Sequence, residues 1–121
     1  VPPKVLRISP RLKLHQRWDE NVDPVTYEVI RHNLWQINEE HGATIQRLSG
    51  SPVAMYALDL NPSILTEDAE FVYFGPYMQY MSGVTDTQVK WTLEFRSDNP
   101  GINEGDMFIA NDPWVGAAHQ Q

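Results

Sequence analysis

The order of periodic segments along this 121-residue chain predicts an α+β fold. Apolar residues recur three and four apart after Pro24, which is the spacing of one face of an α-helix. A β-rich run, Phe71–Phe74, follows a turn-forming segment, which is typical of a hairpin. Hydrophobic residues make up 41% and charged residues 21% of the chain, so the composition is that of a folded protein rather than a disordered one.

The first 22 residues are predicted to form an extended arm. Pro2, Pro3 and Pro10 lie in a segment whose apolar and basic residues alternate without a helical period. The positive charge of the chain is densest between residues 4 and 17. We interpret the segment as an arm that lies on another subunit or on the body of its own protein.

A long helix is predicted from Pro24 to Leu48. Asp23 is a favourable N-cap, and proline suits the first helical position because its backbone is already held in a helical conformation. The predicted apolar stripe consists of Ile30, Leu34, Ile37, Ile45 and Leu48. His41 stands where the stripe would continue, so we interpret it as a hydrogen-bonded core or interface residue. Gly42 costs about 1 kcal/mol relative to alanine, which leaves a bend or an earlier helix end open.

A β-hairpin is predicted after this helix. Residues 55–61 and 63–66 have an extended pattern, residues 67–70 are turn-forming, and residues 71–74 form the second strand. A cluster of tyrosines and methionines follows at residues 77–81. We interpret this cluster as core packing, with an apolar substrate pocket as the alternative.

A short second helix and a strand complete the predicted elements. The helix begins at Thr85, and Gln88 three residues later would complete a capping box. Pairs four apart support it, namely Val89 with Leu93 and Trp91 with Phe95. The helix ends at residues 97–101, and residues 107–110 are predicted to form a compact apolar strand. Residues 111–121 are loop by composition.

Charge and cysteine content exclude several classes of function. The net charge of -7, from nine Lys and Arg against sixteen Asp and Glu, argues against a nucleic-acid partner, because such binding depends on neutralising phosphates. The chain has no cysteine, so a disulfide, a thiolate metal site and a cysteine nucleophile are all excluded. Any metal ligands must therefore be His, Asp or Glu.

Hydropathy and glycine pattern indicate neither a membrane span nor a nucleotide site. Apolar runs are only a few residues long, whereas a span needs about twenty. The start of the chain lacks the apolar core of a secretory signal, so we expect a cytoplasmic protein without membrane contact. No glycine-rich phosphate loop is present, so the chain itself is predicted to bind no nucleotide cofactor.

Four polar residues are candidates for a metal site, and residue type alone leaves their roles open. Asp59 would be either a ligand or a turn residue with a local hydrogen bond. A lone histidine such as His119 is more often structural than a ligand. Asn111 and Asp112, just before Pro113, would either orient ligands from a second shell or form an Asx turn.

Four blocks of sequence, taken in order and spacing, resemble the hydantoinase B/oxoprolinase family. The blocks are residues 23–30, residues 39–44, Ser51-Pro52 followed by Asp59 and the hairpin, and residues 105–119. The last block carries Gly105-Asp106-Met107-Phe108, Asn111-Asp112-Pro113 and Gly116-Ala117-Ala118-His119. By this resemblance, residues 23–121 are the N-terminal part of a hydantoinase B-like domain within a larger α/β subunit.

The resemblance implies a mononuclear metal site. In the family, the Gly-x-x-His stretch continues as His-x-x-Asp. His119 matches the histidine, and the aspartate would directly follow Gln121, so we expect the chain to stop within the motif. Asp59 matches an upstream aspartate ligand. Imidazole and carboxylate ligands suit zinc or manganese. The catalytic residues remain unassigned.

The resemblance also implies a multi-subunit enzyme whose hydantoinase A-like partner binds ATP. Two reactions share this machinery: carboxylation of a ketone such as acetone or acetophenone, and opening of a cyclic amide such as a hydantoin, oxoproline or a lactam. The expectation is ketone carboxylation, because the carboxylase complexes that the resemblance implies tend to contain extra subunits and extended arms. Cyclic-amide hydrolysis is the alternative. A second alternative is a small non-catalytic subunit that joins larger chains through its arm and long helix.

Overall fold

The computed structural model describes residues 5–18 and 20–117, and it confirms the predicted α+β class. The helices and strands are α1 (Pro24–Leu48), α2 (Pro52–Tyr56), β1 (Ser63–Leu65), β2 (Phe71–Phe74) and α3 (Thr85–Arg96). Short 3-10 helices span Pro10–Leu12 and Gln79–Gly83, and a π-helical turn spans Ser97–Gly101. None of the helices found in the described ranges is long and apolar enough to cross a membrane.

The described residues form two compact units. The helix-α1 unit consists of the described residues between 16 and 66 together with residues 71–79. The helix-α3 unit consists of residues 5–15, 67–70 and 80–117. The predicted boundary between arm and domain at residue 22 stays a prediction.

Helix α1 has the predicted bounds. It begins at Pro24 because the Asp23 side chain accepts a hydrogen bond from the Thr26 amide at 2.9 Å. The 25-residue helix is about 37 Å long and continues through Gly42 without a break. The early end that was left open at Gly42 is therefore absent, and a bend there stays a prediction.

The packing face of α1 differs from the predicted apolar stripe. Ile37 is 56% exposed, Leu48 is 79% exposed and His41 is also exposed. The core interpretation of His41 is therefore wrong, and the interface interpretation stays a prediction. The buried residues are instead Asn38 and Gly42. A Cβ atom on Gly42 would lie 2.6 Å from Tyr77 Cε2 and 3.0 Å from Pro62 Cγ. The packing face of α1 is thus determined by the residues that allow close approach, and not by the most apolar residues.

The hairpin is confirmed, and its two short strands pack against α1. Strands β1 and β2 pair antiparallel, with Ser63 opposite Phe74 and a register shift between Ile64 and Leu65. The Tyr73 hydroxyl donates a hydrogen bond to the Arg31 carbonyl oxygen of α1 at 2.9 Å. This bond fixes the second strand along the helix.

Helix α2 was not predicted, because residues 55 and 56 were assigned to an extended segment. Its N-cap is Ser51, whose hydroxyl accepts a hydrogen bond from the Ala54 amide, and Pro52 occupies the first helical position. Gln46 of α1 donates a side-chain hydrogen bond to the Met55 carbonyl oxygen at 3.1 Å. This contact ties the short helix to the end of α1.

Helix α3 begins at Thr85 as predicted, but the capping box is wrong. The Thr85 hydroxyl donates to the Met81 carbonyl oxygen at 3.1 Å, and the N-cap residue Val84 provides no side-chain cap. The predicted pair of Trp91 and Phe95 is confirmed, with ring centroids 5.1 Å apart.

Residues of the arm lie on their own unit. The Ser9 amide donates to Ser97 Oγ at 3.0 Å, and the Ser9 hydroxyl donates to Asp98 Oδ1 at 2.7 Å. Arg7 donates to the buried Glu94 carboxylate through its backbone amide and through Nε, the latter at 2.7 Å. The arm was expected to lie on another subunit or on the body of its own protein. Residues 7 and 9 contact the body of their own protein.

The strand predicted at residues 107–110 is not formed. This segment has no paired strand among the described residues, and Met107 is 92% and Ile109 is 99% exposed. Its composition suits a strand, but strand structure needs a hydrogen-bonded neighbour.

Candidate functional site

Asp59 lies at the centre of a tight turn in the helix-α1 unit, between α2 and β1. The Leu60 amide donates to the Leu58 carbonyl oxygen at 2.9 Å, which closes a three-residue γ-turn around Asp59. The Asp59 amide donates to the Val53 carbonyl oxygen at 3.2 Å. Leu58 has a φ of 55°, in the left-handed region that is uncommon for residues other than glycine. Such a backbone persists only where neighbouring contacts fix it.

The contacts that support this turn come from residues 75–79. The Asn61 side-chain amide donates to the Met78 carbonyl oxygen at 2.9 Å, and the Met78 amide donates to the Leu60 carbonyl oxygen at 3.2 Å. The Gly75 amide donates to the Pro62 carbonyl oxygen at 2.9 Å. A Cβ atom on Gly75 would overlap Asn61 Oδ1. Asp59 is half-buried, and these contacts hold its backbone in place, as a ligand or positioning group requires.

The Tyr77 side chain of the tyrosine and methionine cluster packs in the helix-α1 unit. Its ring approaches Gly42 so closely that a Cβ atom there would lie 3.2 Å from Cζ. Tyr80 of the same cluster is exposed. For Tyr77, the core-packing interpretation of the cluster is confirmed.

Asp112 forms an Asx turn in the helix-α3 unit. Its Oδ1 accepts a hydrogen bond from the Trp114 amide at 2.9 Å, and its carbonyl oxygen accepts from the Val115 and Ala117 amides. Of the two alternatives left open for Asp112, the Asx turn is present. A second-shell role for Asn111 and Asp112 stays a prediction.

Gly116 anchors the loop that leads towards His119. Its φ is 104°, and a Cβ atom on it would lie 2.6 Å from the Gln88 amide nitrogen and 2.7 Å from the Val84 carbonyl oxygen. Only glycine fits this close approach to the first turn of α3. His119 itself lies outside the described residues, so its predicted metal role stays a prediction.

The same loop and α3 enclose a groove of about 260 Å³. The groove is lined by Gln88, Trp91, Thr92 and Arg96 of α3 and by residues 108–112 with Val115. The Arg96 Cζ atom lies 5.2 Å from the centre of the Trp91 ring. Sequence analysis did not find this groove, because residues 108–112 were assigned to a strand and a tail without contact to α3.

Of the two metal ligands that the family resemblance implies, only Asp59 lies within the described residues. Within residues 5–18 and 20–117, no group of three or more His, Asp or Glu residues is arranged to hold a metal ion. Asp59 offers a half-buried carboxylate on a supported turn, which fits an oxygen ligand for zinc or manganese. The assignment of Asp59 and His119 as ligands stays a prediction.

Comparison with known proteins identifies the family. A sequence profile described as hydantoinase B/oxoprolinase matches residues 23–121. The chain belongs to the hydantoinase B/oxoprolinase family, as predicted. No solved structure matches the chain.

The matched region is only a small part of three similar proteins. It is 32% identical over 101 residues to 5-oxoprolinase 1 of Arabidopsis thaliana, covering 83% of this chain and 8% of the plant protein. It is 27% identical over 99 residues to an uncharacterized protein of Methanocaldococcus jannaschii, covering 81% of this chain and 18% of that protein. It is 25% identical over 100 residues to 5-oxoprolinase PfmaA of Pestalotiopsis fici, covering 83% of this chain and 8% of the fungal protein. The chain thus spans less than one fifth of each relative.

Proposed function

We propose that this chain is part of the metal-binding component of an ATP-dependent enzyme that opens a cyclic amide. The observation that carries the proposal is the match to the hydantoinase B/oxoprolinase family over residues 23–121, with relatives named 5-oxoprolinase. The sequence had favoured ketone carboxylation because of the arm. Arg7 and Ser9 bond to residues of their own unit, so the arm no longer supports that preference.

Asp59 and His119 would hold a zinc or manganese ion together with residues beyond this chain. When bound, the ion supplies a positive charge that stabilises negative charge developing on the amide oxygen. The γ-turn holds the backbone of Asp59, while the Asx turn at Asp112 and the close contact of Gly116 hold residues 112–117, which precede His119 in the sequence. ATP would be bound by a hydantoinase A-like partner in a hetero-oligomer, which membership of the hydantoinase B/oxoprolinase family supports.

The direct test is an assay of the full-length protein purified with its ATP-binding partner. We expect ATP-dependent ring opening of 5-oxoproline, hydantoin or 2-pyrrolidinone without added bicarbonate. Bicarbonate-dependent consumption of acetone or acetophenone would replace this proposal by ketone carboxylation. A fully assembled complex with neither activity would support the small non-catalytic subunit.

Metal content tests the ligand assignment separately. Asp59→Asn and His119→Ala should each remove most of the zinc or manganese from the full-length protein, measured by elemental analysis. Glu104→Gln is the matched control, since this exposed carboxylate lies in a separate turn. Metal retained at the wild-type level in both ligand variants would refute the assignment.

A further inference from the structure

Residues 107–110 of the helix-α3 unit have backbone groups that no neighbouring strand uses. Their amides and carbonyl oxygens make no hydrogen bond to other described residues. Phe108 and Ile109 belong to residue types that favour strands, and a strand carries donors and acceptors along both of its edges. The segment is therefore open to pairing with a strand that residues 5–18 and 20–117 do not supply.

The exposed fractions of the side chains alternate along this segment. Phe108 is 43% exposed and lines the groove beside α3, whereas Met107 and Ile109 are almost fully exposed. Successive side chains of a strand point to opposite faces, so this alternation is typical of a strand with one face covered. The apolar side chains of Met107 and Ile109 are left to contact a further element.

Turns hold both ends of the segment. On one side, the Asp106 amide donates to the Asn103 carbonyl oxygen at 3.1 Å, and Asp106 Oδ2 accepts from the Asn103 amide at 2.8 Å. On the other side, Asp112 forms its Asx turn with the Trp114 amide. A short segment that is held at both ends loses little conformational entropy when it pairs.

An extended segment is the partner that fits these residues. A helix uses its backbone amides and carbonyl oxygens in its own hydrogen bonds, so it has none to offer along its length. A strand offers both groups in a ladder, and its side chains lie beside those of the strand that it joins. Apolar side chains on the added strand would cover Met107 and Ile109.

The small size of the segment favours a partner strand from the same polypeptide. Four residues form only about four ladder bonds with one neighbour. So few bonds offset poorly the translational and rotational freedom that two separate molecules lose on association. A strand of the same polypeptide costs only loop closure, which rises slowly with loop length. The matched region is less than one fifth of each similar protein, so a long remainder can supply the strand.

We propose that residues 107–110 of the full-length protein pair with a β-strand of the same polypeptide from outside residues 1–121. The added strand completes the element that the helix-α3 unit leaves open. Because residues 112–117 follow the segment directly, the same pairing also holds the start of that loop. This inference does not depend on which reaction the enzyme catalyses.

Hydrogen exchange of the full-length polypeptide, purified without its ATP-binding partner, tests the pairing. Mass spectrometry with residue resolution follows the amides of residues 107–110. The paired amides should exchange at least about a hundredfold more slowly than unpaired amides, at every protein concentration. The amides of Glu104 and Gly105 are the internal reference, since they make no hydrogen bond to other described residues.

Proline variants separate strand pairing from simple burial. Neighbouring amides of a strand point to opposite edges, so Ile109→Pro and Ala110→Pro each remove a donor from a different edge. At least one of the two should abolish the slow exchange of the remaining amides. Glu104→Pro is the matched control, because it precedes Gly105, whose φ is 85°, in a turn where proline suits this position. Thermal unfolding checks that each variant remains folded.

A photo-cross-linker identifies the source of the strand. Ile109→benzoylphenylalanine should cross-link to a peptide from outside residues 1–121 and give a product with the mass of one polypeptide. A product of two copies, or slow exchange only at high protein concentration, would assign the strand to a second copy. Slow exchange only after the ATP-binding partner is added would assign it to that partner. Either result overturns the proposal, as would fast exchange throughout or slow exchange that both proline variants retain.

Discussion

The contacts that stabilise the interior of the helix-α1 unit differ from those that stabilise the interior of the helix-α3 unit. In the helix-α1 unit, the decisive contacts are close approaches, such as Gly42 against Tyr77 and Pro62. In the helix-α3 unit, the charged hydrogen bonds between Arg7 and Glu94 add to a close approach at Gly116. Both units should therefore respond to changes in side-chain volume, and the helix-α3 unit should respond to changes in pH as well.

The largest effect is expected from adding one methyl group to α1. Gly42→Ala should lower the free energy of unfolding by up to about 2 kcal/mol, because overpacking costs about 1–3 kcal/mol and the gain in helix propensity offsets about 1 kcal/mol of that cost. Gly83→Ala is the control, since a Cβ atom there has no neighbour within 4 Å. Urea unfolding measures both. A stabilising Gly42→Ala would show that Tyr77 moves aside easily.

The next effect is the pH dependence of the helix-α3 unit. Hydrogen bonds from the Arg7 amide and, to a smaller extent, from its side chain lower the pKa of Glu94, while burial opposes them. As the pH falls, Glu94 of the unfolded chain therefore takes up its proton before Glu94 of the folded chain does. The stabilisation that the Glu94 carboxylate contributes should be complete near neutral pH and should decrease as the pH drops below about 4.5.

Glu94→Gln should lower stability near neutral pH and flatten this acid dependence. Urea midpoints measured between about pH 7 and about pH 3 test both expectations. Glu104→Gln serves as the exposed control. An unchanged pH profile in Glu94→Gln would mean that the bonds from Arg7 contribute little to folding.

Two substitutions at Asp112 separate its turn from its charge. Asp112→Asn keeps an acceptor for the Trp114 amide, whereas Asp112→Ala removes it and should cost about 0.5–1.5 kcal/mol. Thermal unfolding of the two variants tests this order. Equal stability of both variants with the wild type would exclude a structural contribution from the Asx turn.

The smallest effect is expected at His15, whose ring lies 2.9 Å from Glu67 Oε2 on the surface. The hydrogen bond and the charge of Glu67 raise the pKa of His15. Any stabilisation is therefore present below the ordinary pKa of histidine, about 6.5, and is lost as the pH rises through the raised value.

His15→Ala should thus change urea midpoints less than Glu94→Gln does, because exposed pairs are screened by water, and its effect should disappear as the pH rises through the raised pKa of His15. A larger effect than that of Glu94→Gln would invert the ranking of these two contacts. Arg17→Ala, an exposed residue next to the same segment, is the control.

The bounds of α1 were predictable from local sequence because Asp23 and Pro24 determine its start without help from distant residues. Ser51 and Pro52 form an equivalent signal, an N-cap residue followed by proline, which would have revealed α2. These two residues were instead interpreted only as the end of α1. The buried face of α1 was not predictable from periodicity, since it depends on which residues let Tyr77 approach.

The site was predictable only in part. Asp59 was found through the family resemblance, but its γ-turn depends on Leu58 adopting a left-handed backbone, which no local pattern indicates. The groove brings Trp91 and Arg96 to residues 108–112, and such a contact between separate segments leaves no periodic signal. The strand at residues 107–110 failed for a related reason, since its composition says nothing about the presence of a neighbour.

The open segment at residues 107–110 has a practical consequence for handling the protein. Met107 and Ile109 are almost fully in water, and their backbone has no ladder partner in the part of the chain that the structure describes. Unpaired apolar backbone of this kind templates intermolecular β-pairing. Concentrated preparations of residues 1–121 should therefore aggregate through this segment, and Ile109→Lys should reduce that aggregation.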